Sequence, residues 1–415
     1  MRKRISGLII LSVIEKFFLV SSQFLIIYLI NKSLGVMAYG LVSAVASTFV
    51  FFNVFNVAVE NILLRRRVSN IEVIEKVNDY LSFSIIKVIA LGLYLFVCYL
   101  LFFLNSDKSI IFALLSFFFI QTSDIYNSTS CVYNVSISKQ SSVTTMSVYR
   151  CIFNIILTVP ILYFDSLAYL AMKDFLVLVF YTFLWRAFNP LFRIKAGTVT
   201  KLLFSNEFYQ RIKSDLRTFS LWSHLNGVVT FFIYKADVFF LSIFSTSTIV
   251  GKYSVALAVA NLSNILPMIL NQQNVVVLSN CKSKSERKKA EAFFKSIYLG
   301  VSLLILGLFS LFGSFIISIL VNGEVENLYV VCFSIVISLV IMKIIPGLIL
   351  SRITVEHSLR DMFISVALPS AIFSFFVYLI VSYIWGYLYL AFSNIAVAIC
   401  WTSLLLLHYK KISRA

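Results

Sequence analysis

The sequence predicts an all-α polytopic membrane protein: about twelve transmembrane helices in two six-helix bundles around a central cavity, with the N and C termini cytoplasmic. Three observations predict it. Of 415 residues, 60% are hydrophobic and only 13% are charged, against about 25% charged in an ordinary soluble chain. No water-soluble fold of this size could hide so much apolar surface. Apolar runs of about 20 residues, the length that crosses a hydrocarbon core about 30 Å thick at 1.5 Å per residue, follow one another almost back to back. The basic residues between the runs fall overwhelmingly on alternate links.

Taken in order, the expected spans are 5–30, 36–60, 81–104, 110–130, 141–164, 167–190, 218–243, 249–278, 293–320, 327–350, 361–382 and 386–408. The first follows Met1, Arg2, Lys3 and Arg4 but runs past signal-peptide length, contains Glu15 and Lys16, and lacks a small-residue cleavage site, so it is read as retained. One set of flanks carries 24 Lys and Arg, including Arg65, Arg66, Arg67, Arg193, Lys195, Arg211, Arg217, Lys288, Lys289, Lys410 and Lys411; the other set carries only Lys32 and Lys108. By the positive-inside rule the first set is cytoplasmic, which makes the number of spans even. The net charge of +17 is thus scattered over short links and does not indicate a nucleic-acid partner. The expected location is the bacterial inner (cytoplasmic) membrane, multi-pass.

The widest gap divides the chain into an N-terminal bundle at 1–190, a basic cytoplasmic interfacial linker at 191–217, and a C-terminal bundle at 218–415. The linker is partly amphipathic, so Leu202, Leu203, Phe204 and Phe208 are expected to dip towards lipid while its basic residues reach anionic membrane lipids. A weak internal match supports a duplication: Tyr39, Ala44, Val45 and Ala46 recur as Tyr253, Ala258, Val259 and Ala260 at a constant offset of 214. Two parallel repeats facing a cavity are a usual construction for alternating access.

Catalytic chemistry finds little support. The links are short and carry no Gly-rich phosphate loop, GxSxG elbow or HExxH pattern, so no enzyme activity, catalytic residue or metal site is expected. The six cysteines, Cys98, Cys131, Cys151, Cys281, Cys332 and Cys400, have no metal-ligand spacing and read as small hydrophobes. No cofactor is expected beyond a coupling ion, H+ or Na+.

Charges deep in a span should face a cavity or a partner, because facing lipid is costly. Ten positions qualify: Glu15, Lys16, Lys87, Asp124, Arg150, Lys173, Asp174, Lys235, Asp237 and Lys343. Six are basic, which suggests a cavity attractive to anions. Arg150, Lys343, Lys87 and Lys16 are the candidate substrate contacts; Arg150 leads because its fork of donors suits a pair of phosphate oxygens. Glu15, Asp124, Asp174, Lys235 and Asp237 are candidate cavity or structural charge partners, with Asp124 or Glu15 as an alternative, purely structural partner of Arg150. Asn264, Asn271 and Asn274 share roughly one face of the eighth span and are candidate path-lining amides. Pro267, Pro346 and Pro369 lie inside spans, as static kinks or as hinges.

Two stretches carry a family resemblance. Leu34-Gly35-Val36-Met37-Ala38-Tyr39-Gly40 looks like an "LG...YG" opening to the second span, and Ala236-Asp237-Val238-Phe239-Phe240-Leu241 followed by Val250-Gly251-Lys252-Tyr253-Ser254-Val255-Ala256 looks like "aD...l...vG.Ys.A". The chain therefore resembles the Wzx-type polysaccharide flippases of the multidrug/oligosaccharidyl-lipid/polysaccharide exporter superfamily. That resemblance implies translocation of an undecaprenyl-pyrophosphate-linked oligosaccharide, an O-antigen or related surface glycan unit of lipopolysaccharide, from the cytoplasmic to the periplasmic leaflet. It also implies a glycan polymerase and other polysaccharide-assembly proteins as partners, with a monomer favoured. The alternative is a multidrug/cation antiporter of the related branch, which expects acidic rather than basic cavity residues. A membrane glycan polymerase or ligase is a third reading, disfavoured by the lack of a large periplasmic loop.

Overall fold

The computed structural model describes residues 2–57, 70–104, 109–136, 139–188, 205–218, 221–280, 283–321, 325–344, 346–350 and 359–412. All regular structure among them is helical. The first element, α1, runs Arg2–Phe52 but is two helices joined at Gly35, whose φ of 79° and ψ of 168° leave helical space. Only glycine takes that conformation without strain. The apolar part, Ile14–Phe52, is 39 residues long, about 58 Å at helical rise. That is nearly twice the length that one crossing needs.

Contacts group the chain into two compact units: Met1–Leu34 with Phe51–His224, and Gly35–Val50 with Leu225–Ala415. In the first unit follow α2 (Asn70–Cys98, continued by a π-turn Tyr99–Phe103), α3 (Ser109–Ser136), α4 (Gln140–Thr158), α5 (Leu167–Phe188) and α6 (Asn206–Thr218). Helices α3 and α5 pack along much of their length. Polar side chains fix their register where apolar packing alone would let them slide: Ser116 donates to Asp174 at 2.5 Å, and Lys173 donates to Asn154 of α4 at 2.9 Å.

Helix α6 is the described part of the basic linker, and residues 191–204, with Leu202, Leu203 and Phe204, lie outside the described residues. Its Phe208 and Ile212 are buried against Val77, Tyr80 and Leu81 of α2. Between them Arg211 grips the buried Asp79 through two bonds, Nε to Oδ2 at 2.7 Å and Nη2 to Oδ1 at 3.0 Å. A bidentate pair of this kind fixes orientation as well as distance.

The second unit takes the Gly35–Val50 part of α1, then most of α7 (Leu221–Phe244), α8 (Ser247–Asn261), α9 (Ile265–Asn280), α10 (Lys284–Leu320), α11 (Val325–Leu339), α12 (Leu368–Ile384) and α13 (Gly386–Ile412). Helix α10 starts at a capping residue, Ser283, whose side chain accepts from the Glu286 N–H at 3.2 Å, the first half of a capping box. Each internal proline follows an irregular turn. Pro267 comes just after the 3-10 turn Leu262–Asn264, Pro346 after the π-turn Val340–Ile344, and Pro369 after the π-turn Phe363–Ala367. A proline cannot donate into the preceding turn, and the altered turn absorbs the lost bond.

Among the described residues ten helices are long and apolar enough to cross a membrane, or eleven if His224–Thr230 and Phe232–Phe244, bent by 42°, form one span. Large apolar side chains such as Leu93, Phe183, Leu303 and Leu311 are more than half exposed. Lipid, not water, is the solvent that such a surface matches. The chain is a multi-pass, all-α membrane protein.

Candidate functional site

A cavity with a polar lining lies within the second unit. About 180 Å³ in volume, it is bounded by Tyr234, Lys235 and Asp237 of α7, Asn261 of α8, Ser338 of α11 and Lys343 of the π-turn, among apolar neighbours. Residues 234 and 237 are three apart and share a face of α7, which carries both to the same space. The π-turn inserts one residue into the helical repeat, so it changes the direction in which Lys343 projects. Its ammonium sits 4.2 Å from the centroid of the Tyr234 ring, within cation–π range.

Asp237 is buried and well supplied with donors. Tyr253 of α8 donates to its Oδ2 at 2.5 Å, Asn394 of α13 donates to the same oxygen at 3.3 Å, and the Val238 N–H reaches Oδ1 at 2.8 Å. The Asn394 amide also donates to the Tyr253 oxygen at 2.7 Å, and its carbonyl accepts from Tyr378 of α12 at 2.6 Å. One carboxylate thereby ties four helices together. Sequence reasoning singled out Asp237 but missed its partners: Tyr253 stood in a recognised motif, whereas Tyr378 and Asn394 sit in apolar runs that give no local signal.

The other sequence-selected residues are placed as follows. Arg150 of α4 donates to Asp124 of α3 at 2.6 Å, and its guanidinium carbon stands 4.8 Å from the Tyr181 ring centroid. Lys87 is buried and donates to the Val57 carbonyl at 3.0 Å. Lys16 lies 3.8 Å from the largely buried Glu15. Lys173 and Asp174 form a buried pair at 2.6 Å. Arg150, Lys87, Lys16 and Glu15 are in the first unit, and Lys343, Lys235 and Asp237 are in the second, so the structure does not gather them within one unit. Asn264 donates to Asn261 at 2.8 Å, and Asn271 accepts from Tyr298 at 2.5 Å. Asn274 is fully buried, and neither of its side-chain polar atoms has a hydrogen-bond partner among the described residues. No group of three or more His, Cys, Asp or Glu that could hold a metal ion occurs among the described residues.

No protein-family model matches the chain, and no curated protein matches it. Solved structures do. An inward-facing multidrug resistance MATE family transporter of the MOP superfamily aligns at a TM-score of 0.62 with 13% identity, covering 98% of this chain and 95% of that one. A Vibrio cholerae MATE transporter aligns at 0.55 with 14% identity, covering 99% and 97%. A MOP superfamily transporter from Pyrococcus furiosus, described as having a binding pocket of reverse polarity, aligns at 0.51 with 13% identity over 100% and 97%. The chain has the fold of a MATE transporter. The likeness runs over nearly the whole of both chains.

This likeness corrects the resemblance drawn from the two motifs. The whole-chain likeness is to MATE transporters and a further MOP superfamily transporter, so the identification as a Wzx-type flippase is withdrawn. With it go the undecaprenyl-pyrophosphate-linked oligosaccharide, the O-antigen and lipopolysaccharide role, and the glycan polymerase and assembly partners. The physical reason lies in what the motif residues do. Gly35 takes a positive φ, and added Cβ atoms on Gly40 and Gly251 would overlap the backbone carbonyl oxygens of Ser247 and Val36. Asp237 and Tyr253 bond to each other. These are requirements of helix packing in a transporter fold and say nothing of a glycan.

Proposed function

We propose that the protein is a MATE-type multidrug/cation antiporter, exporting small organic molecules in exchange for H+ or Na+. The observation that carries the reading is the likeness to multidrug transporters over 98% of this chain. Two buried carboxylates, Glu15 in the first unit and Asp237 in the second, supply the acidic groups such a reading calls for. Both lie within spans, where an ionisable side chain is costly unless it serves a partner or a path. Asp237 also borders a cavity large enough to admit water or an ion.

In this reading the chain crosses the membrane twelve times as two six-helix bundles, with both termini cytoplasmic. The Gly35 break divides Ile14–Phe52 into two crossings, and the bent pair in α7 is one. The split of 24 basic residues against two supports the orientation.

The test is accumulation of a fluorescent organic cation in cells stripped of their own efflux pumps. Expression of the wild-type chain should lower accumulation several-fold, and Asp237→Asn at equal abundance should restore it. Accumulation equal to that of the empty vector, for this probe and a panel of other drugs, would remove the antiporter reading.

A further inference from the structure

We infer that the cavity of the second unit is a binding site for an organic anion: a phosphate or carboxylate group carried on a small aromatic or apolar body. The inference goes beyond the antiporter reading: it concerns this cavity and not the route of an exported cation, and the binding stands on the pocket alone.

Basic charge outnumbers acidic charge around this cavity. Two ammonium groups, Lys235 and Lys343, border the cavity, against one carboxylate, Asp237. That carboxylate already receives bonds from Tyr253, Asn394 and Val238. Among the described residues neither ammonium has a hydrogen-bond acceptor or an ion pair within 4 Å, Asp237 being only a more distant charged neighbour of Lys235, in contrast to Lys87, Lys173 and Arg150, each of which is bonded to an acceptor. The Lys343 ammonium lies over the Tyr234 ring face. Ring contact leaves its three N–H donors unused, and donors held in a low-dielectric space without acceptors are costly. An incoming anion with two or more oxygens would satisfy both amines together.

The rest of the lining sets the body of the ligand. Ser338 and Asn261 add neutral hydrogen-bonding groups, and the Tyr234 ring offers a flat face. The remaining boundary is mostly apolar, its Tyr378 and Asn394 already bonded to each other, which suits an apolar or aromatic group more than a bare inorganic ion. An organic cation would place its charge beside two ammonium groups, where like-charge repulsion opposes it.

The experiment uses the purified full chain in neutral-lipid nanodiscs and measures binding of phenyl phosphate by equilibrium dialysis. Saturable binding is expected, weakened about tenfold or more by Lys343→Gln and likewise by Lys235→Gln, while benzyltrimethylammonium fails to compete. Repeating it in nanodiscs containing phosphatidylglycerol distinguishes two sources of the same chemistry. Loss of phenyl phosphate binding there, relieved in neither lysine variant, assigns the pocket to an anionic headgroup; unchanged binding assigns it to a soluble ligand. Either keeps the anion site. To separate ligand contact from folding, Lys343→Met is measured alongside. Removing an unpaired ammonium from a non-aqueous space should leave the melting temperature equal or higher, whereas a structural lysine would lower it. Absence of saturable binding, or affinities unchanged in both lysine variants, overturns the inference. Binding can fail in this way while dye export persists, so the antiporter reading is judged separately.

Discussion

Gly40 and Gly251 occupy equivalent places in one helix crossing of the second unit. A Cβ on Gly40 would overlap the Ser247 carbonyl oxygen and lie 2.8 Å from the Gly251 nitrogen; a Cβ on Gly251 would overlap the Val36 carbonyl oxygen. Residues 36 and 40 thus meet residues 251 and 247 respectively, one helical turn apart on each side of the crossing. Backbone meets backbone there, so no flexible side chain can give way.

The crossing makes a direct prediction. Gly40→Ala and Gly251→Ala should each lower stability by about 1–3 kcal/mol through overpacking. Gly300→Ala, where an added Cβ meets nothing within 4 Å, should not. Thermal unfolding followed by size-exclusion in detergent reads the difference. Equal melting temperatures for all three variants would show that the crossing is not tight.

A second prediction concerns the carboxylate network. Tyr253→Phe removes a donor from Asp237 while preserving the ring, and should cost about 1–3 kcal/mol by leaving a buried acceptor short of a partner. Asp237→Asn should cost less in the Tyr253→Phe background than in the wild type, because the broken bond is counted once. A double-mutant cycle on unfolding free energies should therefore give a coupling of about 0.5–3 kcal/mol. Additive effects would place the two side chains outside a shared network.

Topology gives a third. Reporters active only in the periplasm should be active when fused after Ser106, Ser247 and Gly323, and inactive after Asn70, Ser205 and Ser285. The sign comes from the clustering of basic residues on alternate links. Reversal at two of these sites would break the twelve-crossing arrangement.

Much of the fold was legible because spanning helices announce themselves by length and composition. The α1 break was only half visible: Gly35 stood in a motif, yet hydropathy runs through it without a dip. Asp237 was legible as an ionisable residue in a span, but Asn394 reaches it from a helix more than 100 residues away in sequence, and Tyr378 in turn bonds Asn394. No local pattern encodes such a meeting. The internal match at an offset of 214 pairs Tyr39 with Tyr253, whereas the glycine crossing pairs residue 40 with residue 251, close to one helical turn away from that register. Sequence similarity and physical contact follow different registers because one reflects identity of side chains and the other the absence of them. The same glycines and the same Asp–Tyr pair drew the resemblance to flippases, since packing needs are shared by folds whose cargoes differ.

The most direct test of the account is gradient-driven exchange in proteoliposomes containing only this chain. Vesicles are loaded with a fluorescent drug, and an H+ or Na+ gradient is imposed in the direction opposite to drug movement. The account predicts that one of the two gradients accelerates drug movement several-fold, that an ionophore collapsing that gradient abolishes the acceleration, and that Asp237→Asn loses it while remaining folded. Drug movement indifferent to both gradients in the wild-type chain would contradict an antiporter.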